Sequence, residues 1–388
     1  MSAKLRRLRA DLARVDDDLR RNIGRRLELA RAIGRTKRDG NLPLRDLSVE
    51  RRVVARWREG LEREGVPTDR AETLAHWLVE EAIRAQEAVP LRPLPASARR
   101  RVTIVGGAGA MGLWLCAFLR RSHHRVTVVD PRSNVDLPAG CRRERDLERA
   151  VRSADVVIVA TPMAVAPEIY RRLVRLRPTA VVLDILSVKA PIRPWIRRLL
   201  AVGVRVASLH PMFGPRPGTL TGRPVLLVDC GDESALRVAR ELFERSSLEL
   251  VRVPVDEHDR LTAELQVLPR VTALLFARGL AGAHRSVREL ERLAPPSFQR
   301  QVAASRYVVE ENPDLSFDLH ALNPGSPDVY RRVDDALRQL RRLTATSQRP
   351  RYRRWLGDGR VRLARRTRAG VKPGPVSERT RPRRRARR

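Results

Sequence analysis

Three glycines offer the clearest chemistry in this chain. Gly107, Gly109 and Gly112 stand in the order G-A-G-A-M-G directly behind the β-branched run V-T-I-V-G that begins at Val102. Between a strand and a helix this pattern makes a dinucleotide-binding turn. The first glycine permits the tight turn, the second lets backbone approach a pyrophosphate, and the third allows the helix to pack closely. Ala110 and Met111 fill the variable positions where the helix opens and its N–H groups face the phosphates. Asp130 closes the next β-branched run, where an acid accepts hydrogen bonds from the adenosine ribose. Its charge disfavours a 2′-phosphate, so NAD is expected. Arg132 offsets part of that repulsion and leaves NADP open. A glycine turn without a ligand, or one serving a mononucleotide or FAD, is the competing interpretation. Three later segments follow further strand-like runs: Thr161 and Pro162 after V-V-I-V-A, Ser187 and Lys189 after V-V-L-D-I-L, and His210 within L-H-P-M-F-G-P. Ligands in parallel α/β sheets sit beyond the carboxyl ends of the strands, so these residues are expected to line one crevice. An imidazole that titrates near neutrality suits a general base there, although a histidine after a strand also serves as a plain structural group.

The elements that must position these groups fall into distinct textures. Leu5, Leu8, Leu12, Val15, Leu19, Ile23, Leu27, Ala30 and Ile33 recur in steps of three and four, which predicts one long amphipathic helix reaching about Lys37. Two shorter helices are expected from Ser48, read as an N-cap, to Arg63 and from Asp69 to Glu87. They are too short to cover the first, so dimerisation through it is expected. The proline-rich stretch 89–100 reads as a linker after a helical domain over 1–88. Short β-branched runs alternating with helical patterns over 101–256 predict an α/β Rossmann domain on a parallel sheet, with V-A-S-L-H-P and P-V-L-L-V-D among its strands. Residues 257–347 read as an all-α domain with helices over 262–282, 289–309 and 328–346.

Composition narrows the class. The chain has 388 residues and a formal charge of +34, and nearly half of that excess lies after residue 348. The segment 348–388 lacks apolar periodicity and is expected to be a disordered basic tail making only nonspecific polyanion contacts. No apolar run reaches the roughly 20 residues that span a bilayer, and the first residues lack an apolar h-region, so a cytoplasmic, membrane-free protein is expected. Cys116, Cys141 and Cys230 are isolated, which suggests inert thiols rather than a disulfide framework or a metal site.

The segments G-G-A-G-A-M-G, D-I-L-S-V-K and L-H-P-M-F-G-P together resemble the bifunctional chorismate mutase/prephenate dehydrogenases of tyrosine biosynthesis, over roughly Leu5 to Leu322. The resemblance implies a homodimeric enzyme that converts chorismate to prephenate and then oxidises prephenate with NAD to 4-hydroxyphenylpyruvate and CO2. It implies that His210 takes the proton of the ring 4-hydroxyl, that Ser187 bonds the same hydroxyl, and that Lys189 orients the loop or a carboxylate. Arg306, one residue out of register, is the match for an arginine clamp on the dianionic substrate. His258 and Gln266 also match. Arg270 stands where the family has a second histidine, which opens an alternative substrate, 4-amino-4-deoxyprephenate, made from 4-amino-4-deoxychorismate.

In the N-terminal helices the same resemblance maps carboxylate- and ether-binding groups onto Arg9, Arg26, Lys37 and Gln86, and ring-hydroxyl partners onto Asp46 and Glu50. The rearrangement is unimolecular, so a cationic lining that holds a compact conformer suffices. Val49 and Ala82 replace an arginine and a hydroxyl residue of the family, which implies weakened mutase activity or a domain kept for dimerisation. A dinucleotide-sensing or nucleic-acid-associated regulator is the alternative from another class.

Overall fold

The computed structural model describes residues 3–40, 42–91, 93–345 and 348–364. The apolar three-four spacing of the N-terminus folds as α1 (Ala3–Asp39), 37 residues and so about 55 Å long. It buries only Ala30 and Gly34. Leu8, Leu12 and Leu19 remain 55%, 60% and 56% exposed, so most of its apolar stripe has no cover within one chain. α2 (Leu47–Arg63) starts one residue before the expected Ser48, and its N-cap is Asp46, whose carboxylate accepts from the N–H groups of Ser48 and Val49. Both residues have capping side chains, and the aspartate sits where two free N–H groups converge. α3 (Thr68–Glu87) is the buried centre of this domain, with Ala71, Ala75, Leu78 and Ile83 facing its neighbours.

After the linker, which holds a short 3-10 turn at Ala96–Ala98, the chain alternates strand and helix as β1 (Arg101–Val105), α4 (Ala110–Arg121), β2 (Arg125–Val129), β3 (Arg142–Arg143), α5 (Leu147–Arg152), β4 (Val156–Val159), α6 (Ala166–Leu176), β5 (Val181–Asp184), α7 (Arg193–Ala201), β6 (Ser208–Pro211), β7 (Pro224–Asp229), α8 (Glu233–Phe243) and β8 (Glu249–Pro254). Five strands pair in the order β3-β2-β1-β4-β5, every pair parallel. Strand parity sorts the two faces. Ile104, Ile158 and Leu183 pack against α4 and α8, whereas Val157, Val159 and Val182 meet Tyr170, Leu173 and Leu199. The order reverses between β1 and β4, the switch point at which such sheets hold ligands.

The expectation of one parallel sheet needs a correction. β6, β7 and β8 form a second, three-stranded sheet in which β6 and β7 are antiparallel. The connection between them contains no helix and turns at Gly218 and Gly222, both with positive φ, so the chain reverses without the crossover a parallel pair requires. A parallel bridge between Val182 and Val206 joins the two sheets edge to edge.

The helical region opens with α9 (Val255–Thr262), a π-helical turn at Ala263–Val267 and α10 (Leu268–Ala281), and continues through α11 (Val287–Leu293), α12 (Pro296–Val309) and α13 (Pro313–Ala321) to Ser326. A separate compact unit follows from Pro327. It contains most of α14 (Ser326–Ala345) and all of α15 (Arg349–Ala364). The helix α15 corrects the expected tail for residues 349–364. Arginine and leucine are good helix formers, Pro350 falls in the first turn where its missing N–H costs nothing, and Trp355 Nε1 donates to Gln339 Oε1 at 3.1 Å. Residues 365–388 of that expectation lie outside the described residues.

Candidate active site

The turn after β1 is built for close approach. Gly106, which the sequence reading left aside, has φ +85°, and a Cβ there would lie 2.7 Å from the Ala160 carbonyl oxygen and 2.8 Å from Thr161 N. Any side chain would therefore push the β1 and β4 loops apart. At Gly112 a Cβ would meet Gly106 O at 2.5 Å, so only glycine lets α4 sit on the turn. Gly107, Gly109, Ala110 and Met111 lie on this turn and the first residues of α4, whose N-cap Gly109 leaves the N–H groups without a side-chain acceptor. Thr161 and Pro162 face it across the switch point, and Thr161 Oγ1 is buried with no partner. An unsatisfied hydroxyl beside an uncapped helix start fits a dinucleotide that brings its own acceptors.

Asp130 ends β2 as expected, but its carboxylate is already engaged. It accepts from Ala108 N–H at 3.0 Å, from Arg132 N–H at 2.9 Å, and from the Arg132 guanidinium at 3.1 Å. Burial pushes its pKa up, but the Arg132 and Ala108 hydrogen bonds outweigh burial and hold it below the usual carboxylate range. Arg132 itself is half exposed at the rim. The same pair thus presents both an acid and a cation to an adenosine ribose.

Beyond β5 and β6 lies the densest polar cluster among the described residues. His210 on β6 is 1% exposed. Its Nδ1 is 3.0 Å from Nε2 of His258 on α9, and His258 Nδ1 is 2.8 Å from Asp259 Oδ1. Asp259 also accepts from the N–H groups of Lys189 and Ala190 at 2.8 and 2.7 Å. An ionised carboxylate only accepts, so the proton of His258 sits on Nδ1 and its Nε2 is an acceptor. His210 must then donate from Nδ1, which leaves its Nε2 as a free base. Gln266 Nε2, on the π-helical turn, lies 3.3 Å from that nitrogen. Burial, then the neighbouring His258, Lys189 and Arg270, hold the His210 pKa well below the ordinary imidazole value, so the ring is neutral at neutral pH. Burial also lowers the pKa of His258, with Asp259 opposing it.

The surroundings of Lys189 favour one of its two expected roles. Its side chain is fully enclosed, and Nζ donates to Asp184 Oδ1 at 2.6 Å, Leu186 O at 2.6 Å and Leu209 O at 2.8 Å. An ammonium has three donors and all three are used, so Lys189 orients the loop and has none left for a substrate carboxylate. Asp184 is completed by the Tyr170 hydroxyl and Leu186 N–H. This buried pair ties the loop after β5 to the strand that carries His210. Ser187 stands half-buried in that loop.

Among the described residues Arg306, the expected anion clamp, makes no bond to the His210 cluster. It is exposed on α12 and pairs with Glu291, because its helix turns that position outward while Val302, Ser305 and Val308 face in. The cation near the cluster is Arg270, whose guanidinium meets the Glu311 carboxylate in a bidentate pair at 2.9 to 3.1 Å and reaches Gln266 O.

In the N-terminal helices, Arg26 donates to the Leu78 carbonyl oxygen, Lys37 Nζ donates to Leu44 O at 2.6 Å, and Gln86 is buried with Oε1 unsatisfied. Gly34 permits this packing, because a Cβ there would lie 2.9 Å from Gln86 Cα. Burial, then the nearby Arg56, lowers the Arg26 pKa, which identifies Arg56 as a cation the sequence reading missed. Asp46 caps α2 through Oδ1, which accepts from Ser48 and Val49 N–H. Glu50 is held by Arg45 at 3.0 Å. Arg9 is exposed on the uncovered part of α1.

Asp259, Asp184 and Gly106 were missed although each lies within three positions of a residue that was named. Their signals were an acid directly after His258, an acid ending an apolar strand, and a doubled glycine. The thiols behave as expected: burial pushes Cys116 and Cys230 up to about 12. Among the described residues no group of side chains could hold a metal ion, and no helix is long and apolar enough to cross a membrane.

A parallel sheet with a glycine turn at its switch point and a buried neutral histidine beyond its strand ends defines a Rossmann-type dehydrogenase. Comparison with known proteins narrows this. Residues 115–251 match the nucleotide-binding domain of prephenate dehydrogenase, residues 254–358 its dimerization domain, and residues 8–87 chorismate mutase type II. The chain belongs to the bifunctional chorismate mutase/prephenate dehydrogenase family. It is 36% identical over 248 residues to a 4-amino-4-deoxyprephenate dehydrogenase of Streptomyces pristinaespiralis, covering 62% of this chain and 83% of that protein. It is 28% identical over 319 residues to the T-protein of Enterobacter agglomerans, covering 82% of each. The prephenate dehydrogenase of A. aeolicus, solved with hydroxyphenyl propionate and NAD+, shares the fold with a TM-score of 0.56 at 19% identity, covering 71% of this chain and 99% of that one.

Proposed function

We propose that this chain is a homodimeric, cytoplasmic enzyme that rearranges chorismate to prephenate in its N-terminal helices and oxidatively decarboxylates prephenate in its second half. The observation that carries the dehydrogenase step is the Asp259–His258–His210 chain, which leaves an unprotonated Nε2 on the buried imidazole carried by β6. NAD, when bound, supplies the hydride acceptor. Gly107 to Gly112 would hold its pyrophosphate and Asp130 its ribose, with Arg132 the group that admits NADP as a second cofactor.

His210 Nε2 takes the proton of the ring 4-hydroxyl as hydride leaves the same carbon, and loss of CO2 makes the ring aromatic. A correctly placed base contributes roughly 10² to 10⁴ in rate. Ser187 bonds the same hydroxyl, and Gln266 steadies the imidazole edge. Arg270, whose two parallel bonds to Glu311 can be exchanged for a substrate carboxylate, replaces Arg306 as the anion clamp within the chain. In the mutase half, Arg26 and Arg56 receive the carboxylates, and Lys37 with Gln86 faces the ether oxygen. Arg9, on the uncovered end of α1, would serve the site of a second copy. The exposed leucine stripe and the match to a dimerization domain support that assembly.

A second substrate reading is favoured by the 36% identity to a 4-amino-4-deoxyprephenate dehydrogenase and by Arg270. The deciding experiment is steady-state NADH formation from prephenate and from 4-amino-4-deoxyprephenate, repeated with His210→Asn. Preference for prephenate with collapse in the variant supports tyrosine biosynthesis. Preference for the amino substrate moves the enzyme to the amino pathway, and no NADH from either overturns the dehydrogenase reading.

A further inference from the structure

Four helix ends meet where the N-terminal helices touch the nucleotide-binding domain, and they enclose a cavity of about 40 Å³. The last turns of α1, α3 and α4 and the loop after α8 contribute Arg38, Glu87, Arg121 and Arg245, with Ser122 and Ser247 between them. A single water needs about 10 to 15 Å³, so a group of several atoms fits.

Three arginines and one glutamate line this cavity. Arg38 and Arg121 both donate from Nη2 to one oxygen, the Glu87 carbonyl, each at 2.9 Å. The Glu87 carboxylate does not answer them. It is turned away and accepts from Leu220 N–H at 3.0 and 2.9 Å and from the N–H and hydroxyl of Thr221. Capping a helix end accounts for one nitrogen of each arginine. It does not account for Nε and Nη1 of Arg38, which are buried without any acceptor. Burial, then Arg121, with Arg245 adding to it, lowers the Arg38 pKa against the opposing pull of Glu87. The two unspent donors of Arg38 are costly unless an acceptor arrives, because an unmet buried donor carries its full desolvation penalty.

We propose that this junction is a second ligand site, which takes a small oxyanion, a carboxylate or a phosphate group, on Arg38, Arg121 and Arg245. It is separate from both reaction sites. It adjoins one of them through the chain, since Arg38 follows Lys37 and Glu87 follows Gln86. An anion there ties the ends of α1 and α3 to the nucleotide-binding domain and so gives a small metabolite a handle on the mutase half. Binding is the readout, so the test stands apart from either proposed activity.

The test is thermal unfolding of the full chain with NAD saturating, so that the dinucleotide turn is filled, at constant ionic strength. Inorganic phosphate is titrated in one arm and malonate in another. The site predicts a saturable rise in Tm whose midpoint moves about tenfold higher in Arg121→Gln/Arg245→Gln, equivalent to about 1.4 kcal/mol of binding energy. A response to phosphate alone assigns a phosphate ligand, to malonate alone a carboxylate, and to both the shared chemistry. No saturable response, or the same midpoint in the variant, overturns the proposal. If the double variant does not fold, hydrogen exchange of the native chain decides. Amides over 84–91 and 118–122 should slow with the effective anion, and unchanged exchange overturns the site.

Discussion

The two halves of this chain hold their polar groups in opposite ways. Around His210 the ionisable groups are enclosed and fixed by partners: Lys189 spends three donors, Asp259 receives three, and the two imidazoles define each other's tautomers. Along α1 Arg14, Arg20 and Arg21 pair with exposed aspartates one turn away, Arg26 and Lys37 bond to backbone carbonyls, and most of the apolar stripe beside them has no cover within one chain. The difference follows from the chemistry each half is read to perform. Proton abstraction needs one nitrogen in one protonation state, which only a buried, hydrogen-bonded network sets. A pericyclic rearrangement needs positive charge and a shape, which a second subunit can complete.

Breaking the enclosed half should give the largest effects. His210→Asn should lower kcat for NADH formation by roughly 10² to 10⁴ while chorismate consumption is unchanged. A parallel loss of both activities would show that the halves are not separable. Asp259→Asn removes the acceptor that sets the His258 tautomer, and kcat should fall by about 10² or more with KM for NAD held, since a base in the wrong tautomer is present but misdirected. A rise in KM alone would mean that Asp259 only shapes the pocket. Lys189→Met leaves Asp184 charged and unpaired in the core, so urea unfolding should show a loss of about 3 to 5 kcal/mol. A loss below about 1 kcal/mol, the range of exposed pairs, would contradict the enclosed geometry.

The pH dependence sharpens the same contrast. His210 has a folded pKa well below 6.5, so the base stays active as pH falls through that value, and the acid limb of kcat/KM for dehydrogenation should lie lower. Its depressed pKa also means that the unfolded chain binds the proton first. The stability it contributes is present above pH 6.5 and is lost as pH drops toward the folded value. Mutase turnover, which rests on arginine and lysine, should be flat across this window. The smallest effect is expected at Asp46→Ala, which removes the cap of α2 and should cost about 0.5 to 2 kcal/mol in unfolding. Chorismate turnover should follow that stability loss. If it falls much further with the fold intact, Asp46 touches substrate as well as capping.

Much of the dehydrogenase half was legible because its signals are local. The glycine turn, Asp130, Thr161 and His210 each sit at the end of a β-branched run, and strand period fixes where such ends fall. Partners distant in sequence were not legible. Whether Lys189 orients the loop or a carboxylate stayed open, because Asp184 and the Leu209 carbonyl reach it only after β5 and β6 have come together. Arg306 was chosen by spacing to a proline, and a difference of one helical position turned it outward to Glu291 while Arg270 took the inner place. Residues 349–364 showed no amphipathic period, yet they form a helix because arginine and leucine favour one and Trp355 finds Gln339.

The sequence by itself determined the succession of elements, the dinucleotide turn and the identity of the candidate base, since backbone propensity and short spacings carry that information. Tertiary structure alone decided which nitrogen of His210 is unprotonated, which arginine stands near it, that β7 runs antiparallel to β6, and that Arg38 keeps two buried donors unspent at the domain junction. Each of these depends on groups far apart in the chain, and their distances and burial exist only once the sheet and its helices have packed.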